Sequence, residues 1–418
     1  MNITTYEHQT LKIGHTLNGH TITADHIEAL QRFHAREPRY FSPIYRGVKF
    51  NQHVGVIHTA GITVEILPKI DRHTDDEQNW RDLLFGMLKA IGDLKVHAPT
   101  RAKVKTKKTD LLDLYFHWFL AETDYLFRRG LVKKYRQTQS QQKALKGRLD
   151  FPNHIRKNTV HKERFHVHHT VYDQNHRLHQ ILNATLDAIA RTAGHSQQQA
   201  KALRQDMPDT APLPRIDATT FDKITLNRKT KPYEQALGIA RLILLSLHPD
   251  LSAGDTQSLA LMFDMNTLWE KFVYKSLKKQ ETEEDFPYTV HAQQTKRFWE
   301  NSTLRPDILL TPKATPASQT QNHERAQSEN IILDTKWKNI DYGRPSSRDL
   351  QQTFAYKHYF QANQSALVYP HHNSESDDIK AVFHGQGKHG GLIRIAPSTD
   401  ILEWEHTIAQ QVQDWIRA

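Results

Sequence analysis

Leu304-Arg305-Pro306-Asp307-Ile308-Leu309-Leu310 and, after a polar insert, Ile331-Ile332-Leu333-Asp334-Thr335-Lys336-Trp337-Lys338 decide how the last third of the chain is read. Both are apolar runs of strand length, and each delivers a carboxylate. Residues i and i+2 of a strand face the same side. Asp334 and Lys336 are therefore expected to project together, with Thr335 on the opposite face. If the two strands are neighbours, Asp307 joins them. Two carboxylates and an ammonium on one sheet edge can bind a divalent metal and activate a water. The bland alternative is a pair of surface strands that end in Asp by accident, with the lysine as a salt-bridge partner.

The flanking sequence favours the first reading. Leu259–Lys279 has helical spacing, with Leu261, Met262, Met265, Leu268, Trp269, Phe272, Val273 and Leu277 on its buried side and Glu270 in its middle. Tyr288–Gln293 reads as a strand. Arg297–Trp299 and Leu304–Leu310 read as a strand pair across the turn-rich Glu300–Thr303. Asp349–Phe360 reads as a helix that carries Gln352 and Tyr356 four residues apart, on one face. Ala366–Tyr369 and Leu392–Ile395 read as late strands, and Ile401–Ile416 as a closing helix. This order predicts an α/β domain with a mixed central sheet. Mg²⁺ keeps several waters and uses one or two carboxylates, so Asp307 and Asp334 are the candidate ligands. The Thr335 carbonyl is a further candidate and Glu270 an outer one. Lys336 can orient the attacking water or hold a phosphate as a compact charge. Without a cation the two acids would repel, and one pKa would rise.

The whole chain has 418 residues, 56 Lys+Arg against 46 Asp+Glu, a net charge of +10 and no cysteine. That length predicts two or three domains. The positive excess suits a polyanion such as DNA without requiring one. The lack of cysteine excludes disulfides, thiolate zinc sites and cysteine nucleophiles. No signal peptide is readable, and apolar runs such as Ile239–Leu247 are too short for a bilayer. The expectation is a cytoplasmic protein with no membrane partner.

Three segments are read. Residues 1–100 form an α+β domain: a helix at Thr23–Ala35 capped by Thr23 or Asp25, a break at Pro38–Pro43, and a second helix at Asn79–Ile91. Between them, Tyr45–Phe50, Val54–His58 and Ile62–Leu67 are strands joined by short turns. Residues 101–255 are mainly helical, with helices at Leu111–Phe127, Asn175–Thr192 and Ala236–Leu247. The basic run Arg101–Lys108 reads as a solvated loop or as a contact to phosphate or to an acidic partner, and Lys133–Arg148 is again basic, with Lys133, Lys134 and Arg136 as candidates for DNA or for a partner. Phe165–Val171 alternates and carries His166, His168 and His169. Metal binding there is the less favoured reading, since the chain is rich in histidine throughout, with 27 in all. Residues 256–418 are the α/β domain, and Thr311–Asn330 is a long polar insert.

Pro306-Asp307, Asp334-x-Lys336 and Gln352-x-x-x-Tyr356 together resemble the PD-(D/E)xK nuclease superfamily in its RecB-like branch. More specifically, Leu304–Ile308, Ile331–Lys338 and Asp349–Tyr359 resemble the McrC family, the nuclease subunits of McrBC-type modification-dependent restriction systems. Val54–Ile70, Leu145–Phe151, Phe165–Asn183 and Met265–Leu277 extend the resemblance. It implies a restriction-endonuclease-like fold that cuts double-stranded, methylated DNA with Mg²⁺. Asp307 and Asp334 would carry the metal, Lys336 would be the catalytic lysine, and Gln352 and Tyr356 would support the site. Glu270 lies on the family's first helix. The N-terminal half would dock a McrB-like AAA+ GTPase hexamer. No G-x-x-x-x-G-K-[ST] sequence is present, and Gly385-Gln386-Gly387-Lys388 has the wrong spacing. GTP would therefore bind only the partner. The alternatives are a stand-alone DNA repair nuclease of the same superfamily and a McrC-like subunit of different specificity.

Overall fold

Six strands of the last third pair into one mixed sheet in the computed structural model, which describes residues 1–69, 77–91, 111–192, 196–249, 257–283, 285–313, 330–338, 345–371, 379–382 and 389–417. Their order is Tyr288–Ala292, Ile308–Pro312, Asn330–Thr335, Ala362–Pro370, His389–Ile395, Ile379–Val382. The first two junctions and the last are antiparallel, and the two central ones are parallel. Central parallel strands are buried on both faces. Ile331–Thr335 and Ala366–Tyr369 are accordingly continuous buried runs.

The helix Ser347–Tyr359 lays Tyr356 and the following Phe360 on Leu309 and Ile332. A second helix, Met265–Gln280, donates its Trp269 indole N–H to the Val368 carbonyl at 3.2 Å. Trp269 and Phe272 also pack on Trp404 of the closing helix Ile401–Arg417, with ring centroids 5.7 and 4.7 Å away.

Two expectations need correction here. Leu259–Lys279 is not one helix: Gln257–Asp264 is a strand that holds Leu261 and Met262, and the helix begins only at Met265. Asp264 sets that start, because its carboxylate accepts from the Thr267 N–H at 3.0 Å. Nor is Leu304–Leu310 one strand. Pro306 lacks an N–H and divides it. Ser302–Leu304 pairs with Lys296–Trp299 as a separate hairpin, and Ile308–Pro312 enters the main sheet.

Residues 1–94 and 262–418 form one unit, and residues 95–261 a second. Most of the segments read from the sequence as residues 1–100 and 256–418, namely 1–94 and 262–418, fall in one compact unit. The helix Glu77–Ala90 packs on Met265–Gln280 and Ile401–Arg417. A Cβ at Gly86 would lie 2.0 Å from Ile401 Cδ1, so only glycine allows that approach. The first strand, Asn2–Tyr6, runs parallel to Ile62–Leu67, which forms a hairpin with His53–Thr59. Ala60 and Gly61 turn that hairpin with φ of 45° and 78°.

Gly47–Phe50 does not continue this sheet. It pairs with Thr10–Lys12 and with Phe41–Ile44, so part of the expected break at Pro38–Pro43 is an edge strand, where Pro43 is tolerated. The helix Ala24–His34 is capped by Thr23, whose hydroxyl accepts from the His26 N–H.

The second unit packs the helices Leu111–Arg129, Arg177–Arg191, Gln197–Asp206 and Glu234–Leu245 together. It is less helical than expected. Lys134–Gln142, within the basic run Lys133–Arg148, is a strand paired along its length with Phe165–Asp173, and Arg148–Leu149 pairs with the other edge. Asp150, distant in sequence, lies 3.5 Å from His166 Nδ1 and 3.3 Å from His168 Nε2. Among the described residues no three His, Asp or Glu side chains are grouped to hold a metal ion, and no helix is long and apolar enough to cross a membrane. The basic run 101–108, nearly all of the insert (314–329) and the 385–388 segment lie outside the described residues.

Candidate active site

Strand alternation dictates where the charges go. Asn330–Thr335 is the third strand of the main sheet, and its Ile332 packs against Tyr356. Asp334 shares that face with Ile332. It is 1% exposed, and Lys336 Nζ lies 2.7 Å from its Oδ2. The register Ile308↔Leu333 places Asp307 across from Asp334, one step before its own strand begins. Asp307 is fixed rather than free. Its Oδ2 accepts from the Thr335 N–H at 2.7 Å and from the Thr335 hydroxyl at 2.8 Å. Thr335 itself faces away from Asp334, yet it is what orients the second acid.

The electrostatics follow from this crowding. Burial first, then the charge of Asp307, pushes the Asp334 carboxyl up to about 7, against the pull of Lys336. Burial works to lower the Lys336 pKa. The charge and hydrogen bond of Asp334, with Asp307 and Asp349 behind it, outweigh burial and hold it above the usual lysine value. Lys336 is therefore a firm cation. Asp334 Oδ1 is buried and has no hydrogen-bond partner among the described residues. An unpartnered carboxylate oxygen beside a second carboxylate is a donor set that fits a hard cation. Asp334 and Asp307 are the residues that could hold one.

Gln352 and Tyr356 arrive from the helix Ser347–Tyr359. Ser346 starts that helix by accepting from the Asp349 N–H at 3.2 Å. Gln352 Nε2 donates to the Tyr356 hydroxyl at 2.8 Å. Tyr356 is 6% exposed. Its pKa is raised, first by burial, with Asp334 and Asp307 adding to the rise. Both residues thus belong to the Asp334 neighbourhood.

Glu270 stands further out. It accepts from Gln293 Nε2 at 2.6 Å, and the Gln293 N–H donates to the Asp307 carbonyl at 2.9 Å. Its carboxyl is raised by burial and then by the Asp307 charge. Glu270 senses the pair through Gln293.

Two residues at this site were not singled out from the sequence. Asp349 pairs with Lys338 and accepts from the Tyr369 hydroxyl at 3.3 Å. Burial opposes its ionisation, but Lys338, Ser346 and Lys336 hold it below the usual carboxylate range. The Ser346-x-x-Asp349 spacing is a helix-start signature that could have drawn attention to it. Gln293 left no such signal, since it matters only through a tertiary contact.

No curated protein matches the chain. Among solved structures, a chain of the refined half-complex from the tetradecameric assembly of Thermococcus gammatolerans McrB AAA+ hexamers with bound McrC is similar at TM-score 0.75 and 16% identity, covering 99% of this chain and 100% of that one. A chain of the Thermococcus gammatolerans McrBC complex is similar at TM-score 0.52 and 17% identity, covering 68% of this chain and 89% of that one. At such identities the likeness speaks for the fold. The sequence decides the family: residues 48–370 match the one described as McrBC 5-methylcytosine restriction system component, and the chain belongs to it.

Proposed function

We propose that this chain is the DNA-cutting subunit of a McrBC-like restriction system, with a PD-(D/E)xK site and a McrB-like AAA+ GTPase ring as partner. The observation that carries the reading is the buried Asp334, facing Asp307 and ion-paired to Lys336 at 2.7 Å. Three ionisable groups held this closely cost folding energy unless a cation and a polyanionic substrate complete them. The family match and the likeness to a chain from an assembly of McrB hexamers with bound McrC support the partner.

Mg²⁺ between Asp307 and Asp334 would offset the charge that builds on the phosphorane and make water a better nucleophile. The rest falls to the chain. Thr335 keeps Asp307 in one rotamer through two hydrogen bonds. Lys336, 2.7 Å from Asp334 Oδ2, would hold a phosphate oxygen or orient the water as a compact charge. Gln352 fixes the Tyr356 hydroxyl, which keeps its proton and can donate toward the reacting phosphate. Nucleotide binding and recognition of methylcytosine belong to the partner in this reading.

Cleavage of a methylated duplex, assayed with the partner, GTP and Mg²⁺, tests it. Asp334→Ala and Lys336→Ala should stop cutting while stimulation of the partner's GTPase persists. Unchanged cutting by either variant would sink the assignment. Efficient cutting by the chain alone would favour a stand-alone repair nuclease.

A further inference from the structure

Between Gln293 and Asp307 the chain leaves the main sheet and builds a free two-stranded hairpin, Lys296–Trp299 with Ser302–Leu304. Both of its feet stand on the candidate site. At one foot, Gln293 binds the Asp307 carbonyl and Glu270. The other foot runs through Arg305 and Pro306 into Asp307 itself. The base is clamped to the end of the helix that carries Gln352 and Tyr356. Lys296 Nζ donates to the Tyr359 carbonyl at 3.2 Å and lies 5.0 Å over the Phe360 ring. Phe298 meets Tyr359 edge-on at 5.4 Å, and Leu304 packs on the cluster that holds Tyr356.

The tip is different. Trp299 is 67% exposed and Phe298 47%, and Arg297 is exposed next to them in sequence, while Arg305 is exposed at the foot. Arg297 pairs through its backbone with Thr303, and its side chain is exposed. Within residues 294–306 three basic residues, Lys296, Arg297 and Arg305, stand against one acid, Glu300, and Arg305 also acts on Glu270. A rigid base, an exposed indole and exposed guanidinium charge suit a polyanion that has stacking faces. Aromatic and arginine side chains also serve protein interfaces; the excess of positive charge and the foot fixed at Asp307 are what favour the polyanion.

We propose that this hairpin is a duplex-DNA contact of the same site, with Trp299 wedged against a base step and Arg297 and Arg305 on the flanking phosphates. The proposal rests on reading the site as DNA-cutting and deepens it. The clamp to the Tyr356 helix and the foot at Asp307 mean that DNA held by the tip is held at a fixed distance from the acids. The hairpin would thus set where the strand is cut.

The test uses the full chain, alone and assembled with its AAA+ partner, with Trp299→Ala, Trp299→Phe and Arg297→Ala variants. Binding of a fluorescein-labelled duplex is followed by anisotropy at several salt concentrations without metal. Cut positions are mapped with metal on an end-labelled duplex. Trp299→Ala should weaken binding roughly tenfold and spread the cut positions, and Trp299→Phe should recover most of both. Arg297→Ala should flatten the slope of log affinity against log salt by about one. Variants that bind and cut like the wild type would overturn this inference and leave the nuclease reading standing. A wild type that binds no duplex would overturn both. Weakened assembly with the AAA+ partner at unchanged DNA affinity would assign the tip to a protein contact and overturn it too.

Discussion

Glu7, just after the first strand, and Asp334, near the end of the third strand of the main sheet, are both pushed up to about 7 by burial. Their surroundings differ. Glu7 has two neutral donors on one oxygen: its Oε1 accepts from the Trp337 indole N–H at 2.8 Å and from the Lys69 N–H at 3.0 Å, while its Oε2 is buried without a hydrogen-bond partner among the described residues and the charge of Asp264 adds to its rise. Asp334 has a second carboxylate across the strand pair and a lysine at 2.7 Å. A raised pKa alone reports desolvation. What separates a structural acid from a working one here is the unresolved charge around it. Glu7 is held by two hydrogen bonds with one further acid, Asp264, acting on it, while Asp334 has a second carboxylate directly across the strand pair and a lysine on its Oδ2.

Cleavage should separate the two most sharply. Asp334→Asn should lower the rate about a hundredfold or more, and Glu7→Gln should leave it near wild type, both read by nicking of a labelled duplex with partner and Mg²⁺. A large loss in Glu7→Gln would break the contrast.

Stability should show what they share. Each acid has a folded pKa above its unfolded value, so the folded state binds more protons between about 4.5 and 7 for Glu7 and between about 4 and 7 for Asp334. Stability is therefore lost as pH rises through that window, by roughly 3 kcal/mol for Glu7 once pH exceeds 7, with Asp334 acting in the same direction. Glu7→Gln should flatten the dependence of melting temperature on pH and raise it near pH 8. Asp334→Asn should do the same, at the expense of activity.

Metal should then divide them again. Mg²⁺ near pH 8 should raise the melting temperature of the wild type and of Glu7→Gln, and leave Asp334→Asn unmoved. The smallest effect concerns the donor to Glu7. Trp337→Phe removes one hydrogen bond to a buried acid and should cost about 1–3 kcal/mol in denaturant melts, with Mg²⁺ binding retained.

How much of this was legible depended on distance along the chain. Asp334 and Lys336 are two apart, and strand periodicity alone puts them on one face. Gln352 and Tyr356 are four apart on a helix, and they share a hydrogen bond. The approach of Asp307 to Asp334 needed only that two apolar runs pair, which they do. Where propensity was local but ambiguous, the reading slipped. The Leu259–Phe263 run is apolar enough for helix or strand, and the cap at Asp264 decided it. The strand Lys134–Gln142 is polar on both faces, so no alternation announced it. The role of Thr335 as the clamp on Asp307, and the contacts of Asp349, Gln293 and Glu7, are set by packing between segments far apart in sequence, and no periodicity records them.

That separation has a cost during synthesis. Glu7 and Trp337 lie 330 residues apart, and Gln52 and its partner Asp264 lie 212 apart. The first segment can zip its own strands as soon as it emerges, because Asn2–Tyr6 needs only Ile62–Leu67. Its remaining partners come after the whole of residues 95–261. At ribosomal rates that wait is on the order of tens of seconds, during which the face that will receive Trp337 and the helix Met265–Gln280 stays uncovered. The nascent chain thus carries a half-built unit past an entire intervening one, and it is at this stage that aggregation or chaperone capture should compete with folding.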